Sequence, residues 1–179
     1  MKKVIFALGL SFISAVSFAQ SGNNQIGVGA DVAIPTGDLG DLSSIGIGGS
    51  IKGLYGIGTA GQITLSAGFL SFATKSEYED LLGADKITST MIPILAGYRH
   101  NFNGFYAEPQ IGYGIYGAKI KGGMFDGSDS EGAFTWAVGA GYVFNNLDFS
   151  ARYQSATKDG TSQSFFGIRV GYLFSLSGK

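Results

Sequence analysis

The sequence contains no cysteine, one histidine, one tryptophan and three prolines among its 179 residues. Without cysteine there is no disulfide framework, no thiol nucleophile, no cysteine-ligated metal site and no acceptor for a lipoprotein anchor. A single histidine also removes the usual triad-like hydrolase constellations. Most enzyme classes are therefore disfavoured by composition, and we predict a protein that is not an enzyme and carries no cofactor.

Charge is sparse and nearly balanced. Charged residues make up 14% of the chain and the formal net charge is −1, which becomes −3 if Lys2 and Lys3 are removed with a leader. Nucleic-acid binding depends on neutralising phosphates with Lys and Arg, so no nucleic-acid partner is expected. Past residue 20 there is no apolar run long enough for a spanning helix, and entry into a membrane would require a closed barrel.

The first residues predict a secretory signal peptide. Lys2 and Lys3 form the positive region, residues 4–16 are apolar with only Gly and Ser interruptions, and Ser17-Phe18-Ala19 is a small-x-small cleavage site. The alternative is an uncleaved anchor, which needs about 20 apolar residues. We predict a signal peptide over 1–19 and one domain over 20–179.

Glycine and aromatic residues are abundant, and they alternate. In residues 105–116 the odd positions are Phe, Ala, Pro, Ile, Tyr and Ile, and the even positions are Tyr, Glu, Gln, Gly, Gly and Tyr. A period of two indicates a strand with one apolar face, and its length fits the roughly 9–11 residues of a tilted membrane strand. Similar segments predict eight strands in all, at residues 26–34, 45–55, 62–72, 90–100, 105–116, 134–144, 149–154 and 166–174.

The connections alternate in length. Short turns are predicted at 56–59, 101–104 and 145–146, and longer loops at 35–44, 73–89, 118–131 and 156–162. This pattern is typical of an all-β, eight-stranded antiparallel up-and-down barrel whose long loops share one end. An even number of strands places both termini at the short-turn end.

Side-chain size predicts which face points outward. An eight-stranded barrel is just wide enough inside for side chains to fill it, so the small residues belong inside and the aromatic residues outside, in lipid. The alternative is a soluble, lipocalin-like barrel with its apolar face inward. Two interfacial girdles are predicted from the aromatic residues near strand ends, namely Tyr55, Phe69, Phe105, Phe134, Trp136, Phe144, Phe149, Phe166 and Phe174.

Six charged residues share the small-residue face and predict an interior charge network. They are Asp31, Lys52, Arg99, Glu108, Arg152 and Arg169. Charges inside a narrow barrel must be paired. Their heights along the strands predict an Asp31–Arg169 pair, and a Glu108–Arg152 contact across the strand that carries Gly141.

These features together resemble the small eight-stranded outer-membrane barrels of the OmpA, OmpX and opacity-protein type, and most closely the outer membrane protein beta-barrel domain group. The resemblance covers roughly residues 24–176 and includes Ile34-Pro35-Thr36-Gly37-Asp38 and Pro109-Gln110-Ile111-Gly112-Tyr113-Gly114. Near the end, Gly171, Phe174 and Leu176 resemble a barrel-assembly signal. The resemblance implies export to the outer membrane of a Gram-negative bacterium, lipid and the assembly machinery as partners, and a monomer.

Other motifs have simpler interpretations. His100 lies beside a short turn with the parity of the lipid-facing Tyr98, which favours an interfacial anchor over a catalytic base. Residues 126–131 fail the spacing of an EF-hand, and the Gly-x-Gly segments do not open helices. No metal or cofactor site is predicted.

The leading hypothesis is a structural or surface-interaction barrel with extracellular loops, an unknown partner at those loops and a packed, ion-paired lumen. The alternatives are a narrow pore for small solutes and, more remotely, a lipid-modifying enzyme or a lipocalin-like binder.

Overall fold

The chain folds as a closed barrel of eight antiparallel strands, each paired with its sequence neighbours. The structure is a computed structural model that describes residues 23–74, 86–121, 127–158 and 160–176, so the predicted signal peptide lies outside the described residues. The strands are β1 (Gln25–Thr36), β2 (Ser43–Ile57), β3 (Gly61–Thr74), β4 (Lys86–Phe102), β5 (Phe105–Lys121), β6 (Gly127–Phe144), β7 (Leu147–Lys158) and β8 (Thr161–Ser175).

One short helix interrupts this pattern. Helix α1 (Asp38–Leu42) lies between β1 and β2, in the segment predicted as a polar loop. Within the part of the chain that the structure describes, no helix is both long and apolar enough to cross a membrane.

The barrel closes where β1 pairs with β8. The ladder runs without a shift from Gln25 opposite Ser175 to Thr36 opposite Ser164. Closure gives every strand two neighbours and leaves no open sheet edge, which is the requirement for a sheet in lipid. The predicted eight-stranded up-and-down barrel is confirmed.

The two ends of the barrel differ. We call the end that holds the start of β1, the end of β8 and the turns between β2 and β3, β4 and β5, and β6 and β7 the turn end, and the opposite one the loop end. Asn103, Gly104 and Asn145 adopt positive φ angles of 51°, 95° and 56°. Asn and Gly tolerate this left-handed conformation, so the sequence signals for the tight turns reflect a real backbone requirement.

At the loop end, two of the predicted long loops are wrong. β5 and β6 stay paired out to Ile120 opposite Gly127, which leaves only residues 122–126 as the connection. β7 and β8 stay paired to Lys158 opposite Thr161, so the predicted loop 156–162 is a two-residue connection. The sequence of these strand ends lacks a continuous alternation of apolar residues. Their alternation stops while their backbone pairing continues, and hydrophobic periodicity cannot detect that part of a strand.

The apolar face points outward. Large apolar side chains are exposed on all strands, for example Ile47 at 66% and Phe105 at 64%, whereas ionisable side chains such as Arg99 and Asp148 are buried in the interior. This arrangement is the reverse of a lipocalin-like barrel, so that alternative does not fit. The nine aromatic residues predicted at the interfaces all face outward: Tyr55, Phe69, Phe105, Phe134, Trp136, Phe144, Phe149, Phe166 and Phe174.

The loop-end half of the interior holds a cluster of large apolar side chains, which the expectation of small interior residues did not include. Phe72 and Phe165 meet edge to face with ring centroids 6.1 Å apart. We call the following buried cluster the apolar layer: Ala33, Leu70, Phe72, Met91 and Phe165, with Tyr116 packed against it. Gly46 makes room for it, because a Cβ on Gly46 would lie 2.5 Å from the Phe72 ring.

Interior glycines should therefore be sensitive to substitution. A Cβ on Gly141 would overlap the Tyr106 ring and lie 2.6 Å from the Phe149 carbonyl oxygen. We expect Gly141→Ala to destabilise the barrel by about 1–3 kcal/mol, the usual cost of overpacking. Urea unfolding in lipid vesicles, followed by the change in gel migration, measures it.

Gly53→Ala is the matched control, because the nearest atom to its new Cβ is the Leu65 carbonyl oxygen at 3.9 Å. Equal stability of the two variants would contradict the tight packing of the lumen.

Candidate functional site in the barrel lumen

The interior charges come from strands on every side of the barrel. Alternation within each strand turns Lys52 of β2, Arg99 of β4 and Glu108 of β5 inward, and all three are buried. β1 contributes Asp31 and β8 contributes Arg169, both buried as well. Arg152 of β7 is partly buried, with 13% of its side chain exposed. The structure thus places all six sequence-predicted charges inside.

Glu108 is the acceptor at one end of the network. Lys52 Nζ donates to its two carboxylate oxygens at 3.0 and 2.9 Å, and Arg99 donates through Nε and Nη2, both at 3.1 Å. Thr64 Oγ1 and Gln110 Nε2 add hydrogen bonds at 2.8 and 2.9 Å. A buried carboxylate is tolerated when its lone pairs are satisfied in this way.

Asp148 is the second acceptor and joins two arginines. Its Oδ2 accepts from Arg99 Nη2 at 3.2 Å and from Arg169 Nη1 at 3.1 Å. Its Oδ1 accepts from the Tyr106 hydroxyl at 2.5 Å. The Arg99 guanidinium also lies 3.6 Å from the centroid of the Tyr106 ring, a cation–π contact.

Ser50 connects Asp148 to the third acceptor, Asp31. Its hydroxyl accepts from Arg169 Nε at 2.9 Å and donates to Asp31 Oδ2 at 2.6 Å. Asp31 Oδ1 in turn lies 3.4 Å from Arg152 Nη2. The contacts form one continuous chain across the lumen, which we call the ion network: Lys52, Glu108, Arg99, Asp148, Arg169, Ser50, Asp31 and Arg152.

Both predicted ion pairs are wrong, although the two residues of each predicted pair do lie at the same height along the barrel. Asp31 and Arg169 are opposite each other in the β1–β8 ladder, yet Asp31 pairs with Arg152. Glu108 and Arg152 also share a height, but the residue between them is Gly139 rather than Gly141. The long arginine side chains reach across the lumen to other strands. Strand register alone therefore does not determine which carboxylate each arginine pairs with.

Sequence reasoning missed Asp148, which is fully buried at 0% exposure. The signal was present, because Asp148 alternates with the outward-facing Phe149 and shares its face with Ser150 and Arg152. The predicted seventh strand began at Phe149, one residue too late, whereas β7 begins at Leu147.

The network leaves little free space and a small positive excess. Four cations face three carboxylates, and Arg152 Nε and Arg169 Nη2 have no hydrogen-bond partner. A void of about 10 Å³ borders Lys52, Glu108 and Arg152. This is about the space of one water molecule, so the network is closed to solute-sized molecules.

The single histidine lies apart from the network. His100 lies on the outer face, with its Nδ1 3.2 Å from the Tyr98 hydroxyl and its ring 4.6 Å from that of Phe102. Among the described residues, no group of three or more His, Asp or Glu side chains could hold a metal ion.

The residues predicted as an assembly signal lie at the closing seam. Gly171 and Phe174 belong to β8, where Gly171 packs against the interior Arg169 and Phe174 faces outward. The Leu176 amide donates to the Asn24 carbonyl at 2.8 Å. Recognition of these residues by an assembly factor stays a prediction.

Removing the charge of Asp148 should destabilise the barrel strongly. In Asp148→Asn the guanidinium groups of Arg99 and Arg169 lose a shared counter-ion inside the lumen. Breaking a buried ion pair on one side typically costs about 3–5 kcal/mol. The free energy of unfolding in lipid vesicles, obtained from urea titrations, is the measurement.

Glu131→Gln is the control, since Glu131 pairs with Lys158 at 2.9 Å at an exposed position. Exposed pairs contribute about 0–1 kcal/mol. If the two substitutions cost the same, the ion network does not have the structural role assigned to it.

Several solved structures share this architecture. The attachment invasion locus protein Ail of Yersinia pestis aligns with a TM-score of 0.62 and 16% identity, over 87% of this chain and 100% of Ail. The N-terminal β-barrel domain of OprF from Pseudomonas aeruginosa aligns with a TM-score of 0.63 and 15% identity, over 86% of this chain and 100% of that domain. Neisserial surface protein A aligns with a TM-score of 0.55 and 17% identity, over 86% of this chain and 97% of that protein.

At these identities the likeness to solved structures concerns the fold. No curated protein sequence matches the chain significantly. The outer membrane protein beta-barrel domain, by contrast, matches residues 5–174, nearly the whole chain. The outward apolar face, the closed ladder and the interior ion network agree with that match. The chain therefore belongs to the outer membrane protein beta-barrel domain family and is an integral β-barrel of the Gram-negative outer membrane.

Proposed function

We propose that this barrel is a non-conducting, non-enzymatic outer-membrane protein that presents its loop end to the outside of the cell. The observation that carries the proposal is the continuous ion network, which spans the lumen and borders a void of only about 10 Å³. A protein whose lumen is filled in this way acts through its surface and its stability in the membrane rather than through transport.

The lumen is closed by two layers in series. The ion network lies in the half nearer the turn end, and the apolar layer around Phe72 and Phe165 lies in the half nearer the loop end. An ion that passes the apolar layer would lose its hydration, and one that enters the network would meet charges already paired. Each layer is a separate barrier to conduction.

The connections at the loop end are the segments that an extracellular partner would contact. Residues 37–42, 75–85, 122–126 and 159–160 contain eight acidic residues and one lysine in the sequence. Such a surface favours cationic or neutral partners and repels polyanions. We propose that any extracellular partner of these segments is not a sulfated or phosphorylated polyanion.

The acidic connections make the ligand of one structural neighbour unsuitable for this chain. Ail, with a TM-score of 0.60 in that structure, was crystallised in complex with the heparin analogue sucrose octasulfate. The acidic connections of the present chain do not suit that ligand. A shared barrel fold with different loops therefore supports different surface interactions.

The proposal also covers export, assembly and oligomeric state. We infer that residues 1–19 are removed on export, that the assembly machinery recognises Gly171, Phe174 and Leu176, and that the barrel is a monomer. The outward-facing aromatic residues near the strand ends support membrane anchoring, because Tyr, Trp and Phe favour the two interfaces.

Conductance in planar bilayers tests the closed lumen. We expect no steady single-channel steps from the wild type. Glu108→Ala and the double substitution Phe72→Ala/Phe165→Ala should each remain silent, because one layer still closes the lumen. The combination of all three substitutions should conduct, provided that its heat-modifiable gel migration shows a folded barrel.

Steady steps from the wild type would establish the narrow-pore alternative instead. Conduction by Glu108→Ala alone would show that the apolar layer is no barrier.

Sucrose octasulfate tests the surface chemistry. Isothermal titration of the detergent-solubilised, folded barrel should show no saturable binding at physiological ionic strength. Saturable binding that weakens as salt increases would contradict the proposed charge preference.

A further inference from the structure

The ion network carries more positive than negative charge. Its charged side chains are four cations, Lys52, Arg99, Arg152 and Arg169, and three carboxylates, Asp31, Glu108 and Asp148. A charge that is buried without a counter-ion is strongly destabilising. The folded barrel therefore balances its lumen either with one more negative charge or by the loss of one proton.

The network also has hydrogen-bond donors in excess. Arg152 Nε and Arg169 Nη2 are buried and have no partner among the described residues. An ammonium group carries three N–H bonds, and the acceptors of Lys52 in the described part of the chain are the two oxygens of Glu108, at 3.0 and 2.9 Å. Nearly all buried polar groups of native proteins have partners, and a bound water or ion explains many exceptions. The excess of donors and the excess of positive charge both call for an anionic acceptor.

A void of about 10 Å³ adjoins two of the four cations, Lys52 and Arg152. It also borders Gly139, which separates Glu108 from Arg152 in the ladders of β5, β6 and β7. Among the described residues on its border, Glu108 is the single carboxylate, and its oxygens already accept hydrogen bonds from four side chains. The void is thus a space for one water-sized particle beside unbalanced positive charge.

We propose that this void binds one small monovalent anion, which is chloride under ordinary ionic conditions. A halide ion is only slightly larger than a water molecule, accepts several hydrogen bonds and supplies the charge that the network needs. A water molecule satisfies donors but leaves the charge unbalanced, and sulfate or phosphate is too large for the void. Because the anion binds the folded barrel and not the unfolded chain, it stabilises the fold.

Unfolding equilibria at different chloride concentrations test the site. The mature barrel is unfolded by urea in lipid vesicles at constant pH and ionic strength, with sodium chloride replaced stepwise by sodium gluconate, whose anion is too large for the void. One site specific to the folded state lowers the unfolding equilibrium constant by up to about tenfold for each tenfold rise in ligand concentration. We expect this dependence on chloride in the wild type.

Two glycine substitutions separate filling of the void from crowding of Arg152. In Gly139→Ala the new Cβ lies at the border of the void, 3.1 Å from Arg152 Cβ, and no charge changes. In the matched control Gly167→Ala, the new Cβ lies 3.2 Å from Arg152 Cγ, but Gly167 is not among the described residues that border the void. Both variants should be less stable than the wild type, and only Gly139→Ala should lose the chloride dependence. General effects of salt on unfolding act on both variants alike.

Diffraction from wild-type crystals on either side of the chlorine absorption edge locates the ion directly, whether or not the glycine variants fold. We expect an anomalous difference peak in the void beside Lys52 and Arg152. A void that holds water and gives no such peak would refute the proposal, and the charge would then be balanced by loss of a proton from Lys52.

Wild-type unfolding that does not respond to chloride would overturn the proposal, and so would a response that persists in a folded Gly139→Ala variant. An anomalous peak without any effect on stability would indicate an adventitious ion only, which contradicts the proposed stabilisation. These outcomes are independent of conductance. A conducting wild type whose folding depends on chloride would refute the closed lumen and leave the anion site standing.

Discussion

The structure depends on the carboxylates of Glu108 and Asp148, which hold arginine and lysine side chains together inside a barrel too narrow for bulk water. Arg99 bridges the two carboxylates, so strands β4, β5 and β7 are joined across the lumen as well as through their ladders. Arg169, Ser50 and Asp31 extend the same connection to β8, β2 and β1. Any one of these charges would destabilise the barrel if it had no partner. Because they are paired, they occupy the lumen without that penalty.

The rest of the barrel accommodates that network. Gly141 leaves space for Tyr106, which donates to Asp148, and Gly139 lies between Glu108 and Arg152. Above the network the interior changes from paired charges to the apolar layer. Polar and apolar filling solve the same problem in different ways, since the paired charges satisfy one another and the apolar side chains need no hydrogen-bond partner.

Much of the fold could be predicted from the sequence, because strand alternation and side-chain size are local properties. The eight strands follow from alternation, the tight turns at Asn103 and Asn145 from their turn residues, and the inward direction of Lys52, Arg99 and Glu108 from alternation together with side-chain size. The same rule would have identified Asp148 had the seventh strand been started at Leu147. The prediction failed at the loop end, where paired strands such as β6 continue from Gly127 without an apolar face.

The sequence by itself determined that this chain is an outward-apolar barrel and which side chains face its lumen. Only the tertiary structure decided which charges meet. Arg152 and Arg169 are long and flexible, so each can reach several carboxylates, and the shape of the closed lumen selects Asp31 for one and Asp148 for the other. The proximity of Ala107, Ala140 and Ala151 is likewise invisible along the chain, because they become neighbours only when the β5, β6 and β7 ladders fix their register.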